Sequence, residues 1–184
     1  MLPRSDRKAP LAKRSAVIDS SCVIALDALD LLPQLTFLFE NIHIPRAVRR
    51  ELYDLRSTRD RLRALLRRYA VIRRCNDYDQ GAVNVLWAER HSEGSKDLGE
   101  VEAVVQAAKL GAVVVVDDPW GRELAARYRL DHHGTLWILE RLCELKLLLP
   151  AIAREHLLTL RELGIRFPLE AANSLLERLG EPGI

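Results

Sequence analysis

Five carboxylates stand at positions where they could act together: Asp19, Glu51, Glu100, Asp117 and Asp118. The sequence pairs no Ser with His and no Cys with His in the manner that nucleophilic catalysis needs. It also has no Gly-rich phosphate loop ending in Lys. A cluster made only of carboxylates has one outstanding chemical use. It holds a hard divalent cation, Mg²⁺ or Mn²⁺, through oxygen ligands and leaves the remaining positions to water and substrate oxygens. Such an ion helps deprotonate water and stabilises an in-line displacement at phosphorus. Each acid also has a plainer use. Asp118 stands before Pro119, the arrangement of a helix N-cap. Glu51 could pair with Arg49 or Arg50 on a solvated helix face. Glu100 in a first helical turn suits the helix dipole.

The elements around these residues decide whether they meet. In Leu98–Arg122, apolar Val101, Val104, Val105 and Ala108 recur at helical spacing, and Gly111 stops the helix. Val113–Val116 is a short β-branched run of the kind buried on both faces of a parallel sheet. It ends on Asp117 and Asp118. The same pattern occurs earlier, where a strand over Ala16–Ile18 ends on Asp19. If these strands are neighbours, the carboxylates share one sheet edge, beyond the carboxyl ends where open α/β sheets bind ligands. The pattern further predicts a helix from Val23 to Pro33, another over Leu35–Phe39 and a strand over Ile42–Ile44. A helix from Pro45 carries Glu51. Later helices cover Asp79–Arg90, Leu136–Leu145, Ile152–Leu163 and Leu169–Leu179. Asp97 is expected to cap the helix of Glu100. Leu130–His133 reads as a brief extended piece; His132 and His133 have no Cys or His at metal-ligand spacing and are read as loop residues near substrate.

Between Arg46 and Arg74 lie eleven Arg and no Lys against three acids, a local balance of +8. Leu62, Leu65, Leu66 and Tyr69 give this segment an apolar face, so it reads as an amphipathic helix with a basic outside. Arg is suited to bidentate phosphate contact. Arg49, Arg50, Arg56 and Arg59 are the candidate nucleic-acid contacts, with an acidic protein partner as the alternative. The whole chain carries only +2, too little to imply nucleic acid by itself. It is 48% hydrophobic but 5% aromatic, so its core is aliphatic. Cys22, Cys75 and Cys143 share no metal spacing, and their odd number fits reduced cytosolic thiols. No run is long enough to span a membrane. Residues 1–14 read as a basic disordered arm and residues 15–182 as one domain.

Taken together, these motifs resemble the PIN-domain family. The nearest resemblance is to a prokaryotic branch of predicted nucleic-acid-binding proteins related to VapC-type toxins. VIDSSCVIALDALDLL is similar to its first motif, with Asp19 and Ser21 in place. IPRAVRREL is similar to the second, ending on Glu51. DLGEVEAVVQAA carries the third acid at Glu100, and VVVVDDPWGRELA the fourth motif with Asp117, Asp118 and Arg122. Pro119 and Trp120 stand where the family pattern is polar or basic. The resemblance implies a three-layer α/β/α sandwich with a mostly parallel sheet. It implies a metal-dependent endoribonuclease with Mg²⁺ or Mn²⁺ as cofactor. Its implied ligands are Asp19, Glu100 and Asp118 or Asp117, with Asp118 favoured, and Glu51 orients water or completes the shell. Ser21 would hold a carboxylate rotamer, and Arg122 would contact phosphate or a carboxylate. The implied setting is cytoplasmic, with RNA or DNA as substrate, a homodimer, and a toxin role with an antitoxin partner. A nucleic-acid-binding module without nuclease activity is the alternative.

Overall fold

Short apolar strands alternating with helices can close a core only if each strand returns parallel to the last through a helix lying on the sheet. The computed structural model, which describes residues 14–54, 56–69, 71–74, 79–90 and 98–184, has this architecture. The first half runs β1 (Arg14–Ile18), α1 (Ser20–Ala28), a 3-10 turn (Leu32–Gln34), α2 (Leu35–Leu38), β2 (Phe39–Ile44), α3 (Arg46–Asp54), α4 (Arg56–Arg68), β3 (Ile72–Arg74) and α5 (Gln80–Arg90). The second half runs α6 (Leu98–Leu110), β4 (Val113–Val115), α7 (Pro119–Arg127), β5 (His132–His133), α8 (Thr135–Glu144), α9 (Pro150–Glu162) and α10 (Leu169–Leu179). The five strands form one parallel sheet in the order β3-β2-β1-β4-β5.

Side chains alternate across a strand, and the core splits accordingly into two layers. Ala16, Ile18, Ile42, Val113 and Val115 pack with α1, α8, α9 and α10 on one face. Val17, Val114 and Val116 pack with Val83 of α5, Val101 and Val104 of α6, and Leu124 of α7 on the other. Helices therefore cover both faces, giving the expected α/β/α sandwich. Gly111 ends α6 with φ +60, a backbone that glycine adopts without a Cβ penalty. Among the described residues no single helix is long and apolar enough to cross a membrane.

Three local expectations are corrected. The first helix does not run on to Pro33. It ends at Ala28, and the chain turns through Asp30 at φ 55 before the 3-10 turn. The cause is local, since the amide of Leu31 reaches back to the carbonyl of Leu26 and closes the helix end. Arg14, read as the last residue of the arm, opens β1 and reaches Asp131 at 2.7 Å. The extended piece expected at Leu130–His133 is confined to His132 and His133, which are strand β5 and not loop, because their backbone pairs with Val114 and Val115. The rest of the arm, Cys75 and Asp97 lie outside the described residues.

One buried acid ties α6 to α3. Glu102 is 4% exposed, and its Oε2 accepts the Ala47 amide at 2.7 Å. That amide is one of the donors that the start of a helix leaves without an intrahelical partner. Glu102→Ala is therefore expected to cost about 1–3 kcal/mol in urea unfolding, because it strands a buried donor. Glu102→Gln, which keeps an acceptor, should cost clearly less. Equal losses in the two variants would show that the hydrogen bond is not what holds α3.

Candidate active site

The sheet order sets the site. From central β1 the chain moves outward to β2 on one side, while β4 lies on the other, so the strand order reverses between β1 and β4. The crevice at such a reversal is where parallel α/β sheets bind ligands. The register pairs Ile18 with Val115, and the Asp19 amide donates to the Val115 carbonyl at 2.9 Å. The two strands thus deliver Asp19 and the Asp117–Asp118 pair to one edge.

Asp19 is fully buried at the start of α1. Its Oδ2 accepts the Ser21 hydroxyl at 2.7 Å and the Ser21 amide at 3.0 Å. Its Oδ1 is buried and accepts no hydrogen bond among the described residues. Glu51 comes from α3, with Oε2 accepting the Ser20 hydroxyl at 2.5 Å. Both acids lean over Gly99 in the first turn of α6. A Cβ placed there would stand 3.0 Å from Glu51 Oε1 and 3.4 Å from Asp19 Oδ1. The absence of a side chain at Gly99 is what admits two carboxylates to the positive end of that helix. Glu100 follows, with its Oε2 shielded from solvent. Its stem packs toward Gly121, where a Cβ would lie 3.3 Å from Glu100 Cγ. Gly121 in turn belongs to the first turn of α7, which Asp118 caps. Asp118 Oδ1 accepts the amides of Trp120 at 2.8 Å and Gly121 at 3.2 Å, so both capping bonds fall on one oxygen.

Asp117 is occupied differently. Its Oδ1 accepts the Thr135 amide at 2.9 Å and Arg122 Nη2 at 3.2 Å. Its Oδ2 accepts the Thr135 hydroxyl at 2.5 Å and the Cys22 thiol at 3.2 Å. Gly134, the N-cap residue of α8, has no side chain to offer, so Asp117, two residues beyond β4, caps that helix. Arg122 braces the pair by donating from Nε to the Val116 carbonyl at 3.1 Å.

Burial, the largest cause, raises the Asp19 carboxyl above its usual 3.8, and the nearby charge of Asp117 adds to it. The Ser21 hydroxyl and amide and the Ser20 amide oppose the shift. Like-charge repulsion is thus the smaller reason for the raised value. Burial likewise pushes the Cys22 thiol well above 9.0, which suits it to donate to Asp117 rather than to carry charge.

The arginines divide. Arg49 turns inward, donating to the Ile44 carbonyl at 2.8 Å, so it supports the end of β2. Arg50 is exposed on the helix of Glu51. Arg59 is partly buried, 3.6 Å from Asp60, and the side chain of Arg56 lies outside the described residues. Sequence reasoning passed over Ser20, Cys22, Gly99, Gly134 and Thr135. A small residue directly before Glu100 and a Gly–Thr pair at a helix start were the only signals.

As they stand, no three His, Cys, Asp or Glu side chains among the described residues are grouped to hold a metal ion. The donor chemistry still fits a hard divalent cation. Asp19 presents a buried oxygen with no hydrogen bond among the described residues, and the Gly99 cradle brings Glu51 beside it. Carboxylate oxygens are the donors such cations take.

The family model DUF3368, described as a PIN domain, matches residues 15–181. The chain belongs to the PIN-domain family. No curated protein matches the sequence. The sheet order and the two helical layers are those of a PIN-like sandwich, and PIN domains are generally nucleases that use divalent metals.

The raised Asp19 carboxyl gives a sign to stability. Held above 3.8 in the fold, it keeps its proton where the unfolded chain has lost it. The contribution is therefore present at low pH and lost as pH rises through the folded value. In the presence of chelator at neutral pH, Asp19→Asn should raise the melting temperature and flatten this part of the pH profile. About 1 kcal/mol of relief corresponds to roughly 2–4 °C for a chain of this size. A lower melting temperature for Asp19→Asn under those conditions would refute a destabilising buried charge.

Proposed function

We propose that this PIN domain is a metal-dependent endoribonuclease whose centre is formed by Asp19, Glu51, Glu100 and Asp118. The observation that carries the reading is Asp19 Oδ1, a carboxylate oxygen buried beside Glu51 over Gly99 and without a hydrogen bond among the described residues. A fold tolerates such an atom poorly unless something else meets it. Asp19, Glu100 and Asp118 would hold Mg²⁺ or Mn²⁺, with Glu51 completing the shell. The bound ion supplies positive charge to phosphate oxygens and lowers the pKa of water.

The rest of the work belongs to the chain. Ser21 fixes the rotamer of Asp19, and the Ser20 hydroxyl does the same for Glu51. Glu51 is placed to accept a proton from water entering over Gly99. Asp118 keeps Oδ2 clear of its capping bonds. Asp117 spends both oxygens on Thr135, Cys22 and Arg122, so it positions rather than binds. Exposed Arg46 and Arg50 on α3 offer contacts to the substrate backbone. RNA as substrate, a cytoplasmic setting, a homodimer and an antitoxin partner belong to the same proposal, supported by the family and the Arg-rich segment.

Two readouts test it. Millimolar Mn²⁺ should raise the melting temperature of the wild-type protein by several degrees, since saturation to about 100 times Kd is worth about 2.7 kcal/mol. Asp19→Asn and Glu100→Gln should lose most of that shift and at least about a hundredfold of metal-dependent RNA cleavage, a barrier change of about 2.7 kcal/mol. A melting temperature indifferent to Mn²⁺, with RNA binding intact, would favour a binding module without nuclease chemistry.

A further inference from the structure

A cavity of about 290 Å³ opens beside the acidic centre, at the carboxyl end of β5. The two are separated by very little. Gly134 lines the cavity, and a Cβ there would stand 2.3 Å from Asp117 Oδ1 and 2.5 Å from Arg122 Nη2. The wall between cavity and centre is therefore bare backbone over the Asp117–Arg122 ion pair. Arg122 itself lines the cavity, and a guanidinium has more N–H donors than the two bonds to Val116 and Asp117 use.

The lining is of mixed chemistry. His133 and Trp137 stack face to face with ring centroids 3.9 Å apart and planes within 7°, so a third ring would extend this stack on an outer face. Leu175 adds apolar wall. One turn along α8 from Trp137, Glu140 Oε1 accepts Arg178 Nε at 2.7 Å, so an anchored donor and an anchored acceptor line the same cavity. A free phosphate or a lipid headgroup would meet the Glu140 carboxylate and gain nothing from the aromatic surface. A nucleobase matches both halves, with apolar faces for stacking and an edge that carries donors and acceptors.

We propose that this cavity takes one unpaired nucleobase of the RNA strand, held against the His133–Trp137 pair with its edge toward Arg178 and Glu140, while Arg122 faces the adjoining phosphate. The assignment rests on the ribonuclease reading for its substrate, but it concerns binding and not cleavage. It gives the centre a preference for single strands and a register, because a base seated here fixes which phosphate lies at the acids.

The test measures binding of a short labelled oligoadenylate to the full chain by fluorescence anisotropy in chelator, where no cleavage occurs. The comparison is the same strand with one abasic site, moved along the sequence. The wild-type protein should bind the intact strand about tenfold more tightly than the strand with its abasic site at the seated position. Ala171→Trp, at an exposed position on the cavity rim, fills the space without touching the core. Trp137→Leu keeps an apolar side chain there and removes the stacking surface. Both should bind the intact strand only as tightly as the abasic one, with melting temperatures near wild type. If Trp137→Leu unfolds, Ala171→Trp decides alone. Equal binding of intact and abasic strands by wild type, or discrimination that survives Ala171→Trp, would overturn the pocket. Failure of the nuclease reading shows elsewhere, as a missing Mn²⁺ melting shift in a protein that still discriminates the base.

Discussion

The Asp117 carboxylate is the constraint on which the rest depends. Its oxygens bind Thr135 at the start of α8, Cys22 in α1 and Arg122 in α7, while its backbone continues β4. One side chain thus fixes four elements that meet at the strand-order reversal. A negative group at the start of α8 gains from that helix's dipole, and the Arg122 guanidinium balances its charge. Partly buried charges persist when paired and hydrogen-bonded in this way. With Asp117 committed, Asp118 is left to turn outward as the cap of α7. Adjacent identical residues hold different posts, since both Asp117 oxygens are bonded across elements while Asp118 caps α7 through one oxygen.

Much of this was legible in the chain. The two β-branched strands ending in Asp announced both the parallel sheet and the shared edge, since buried parallel strands read as unbroken apolar runs. The Pro after Asp118 and the Gly after Leu110 marked helix ends through backbone constraints that act locally. Glu51 and Glu100 were picked out by their places at helix starts and matched by the family motifs. Their convergence depends on Gly99, whose importance lies in what its missing Cβ permits at a distance. Periodicity reports which face a residue is on, but not which foreign side chain needs room above it.

The illegible features share that non-local character. Thr135 looked like any helix opener, and its hydroxyl acquires meaning only when β4 arrives beside it. Cys22 reads only as a reduced thiol without metal spacing, and nothing near it in sequence announces Asp117 as its partner. His132 and His133 lacked the length and alternation of a recognisable strand, and became one because the free edge of β4 accepts them. Arg49 belonged to a run of like charges, yet its contact with the Ile44 carbonyl turns it into a strut. A charge count cannot separate arginines that face solvent from those that finish a strand.

The distances along the chain between partners at the Asp117 hub also govern timing. A protein is made from its N-terminus, and residues 19, 51, 100 and 118 all precede the threonine that locks Asp117 in place. A chain still being translated therefore possesses every acid of the centre before it possesses the helix that steadies them. Parallel pairings over such spans form late in folding in any case.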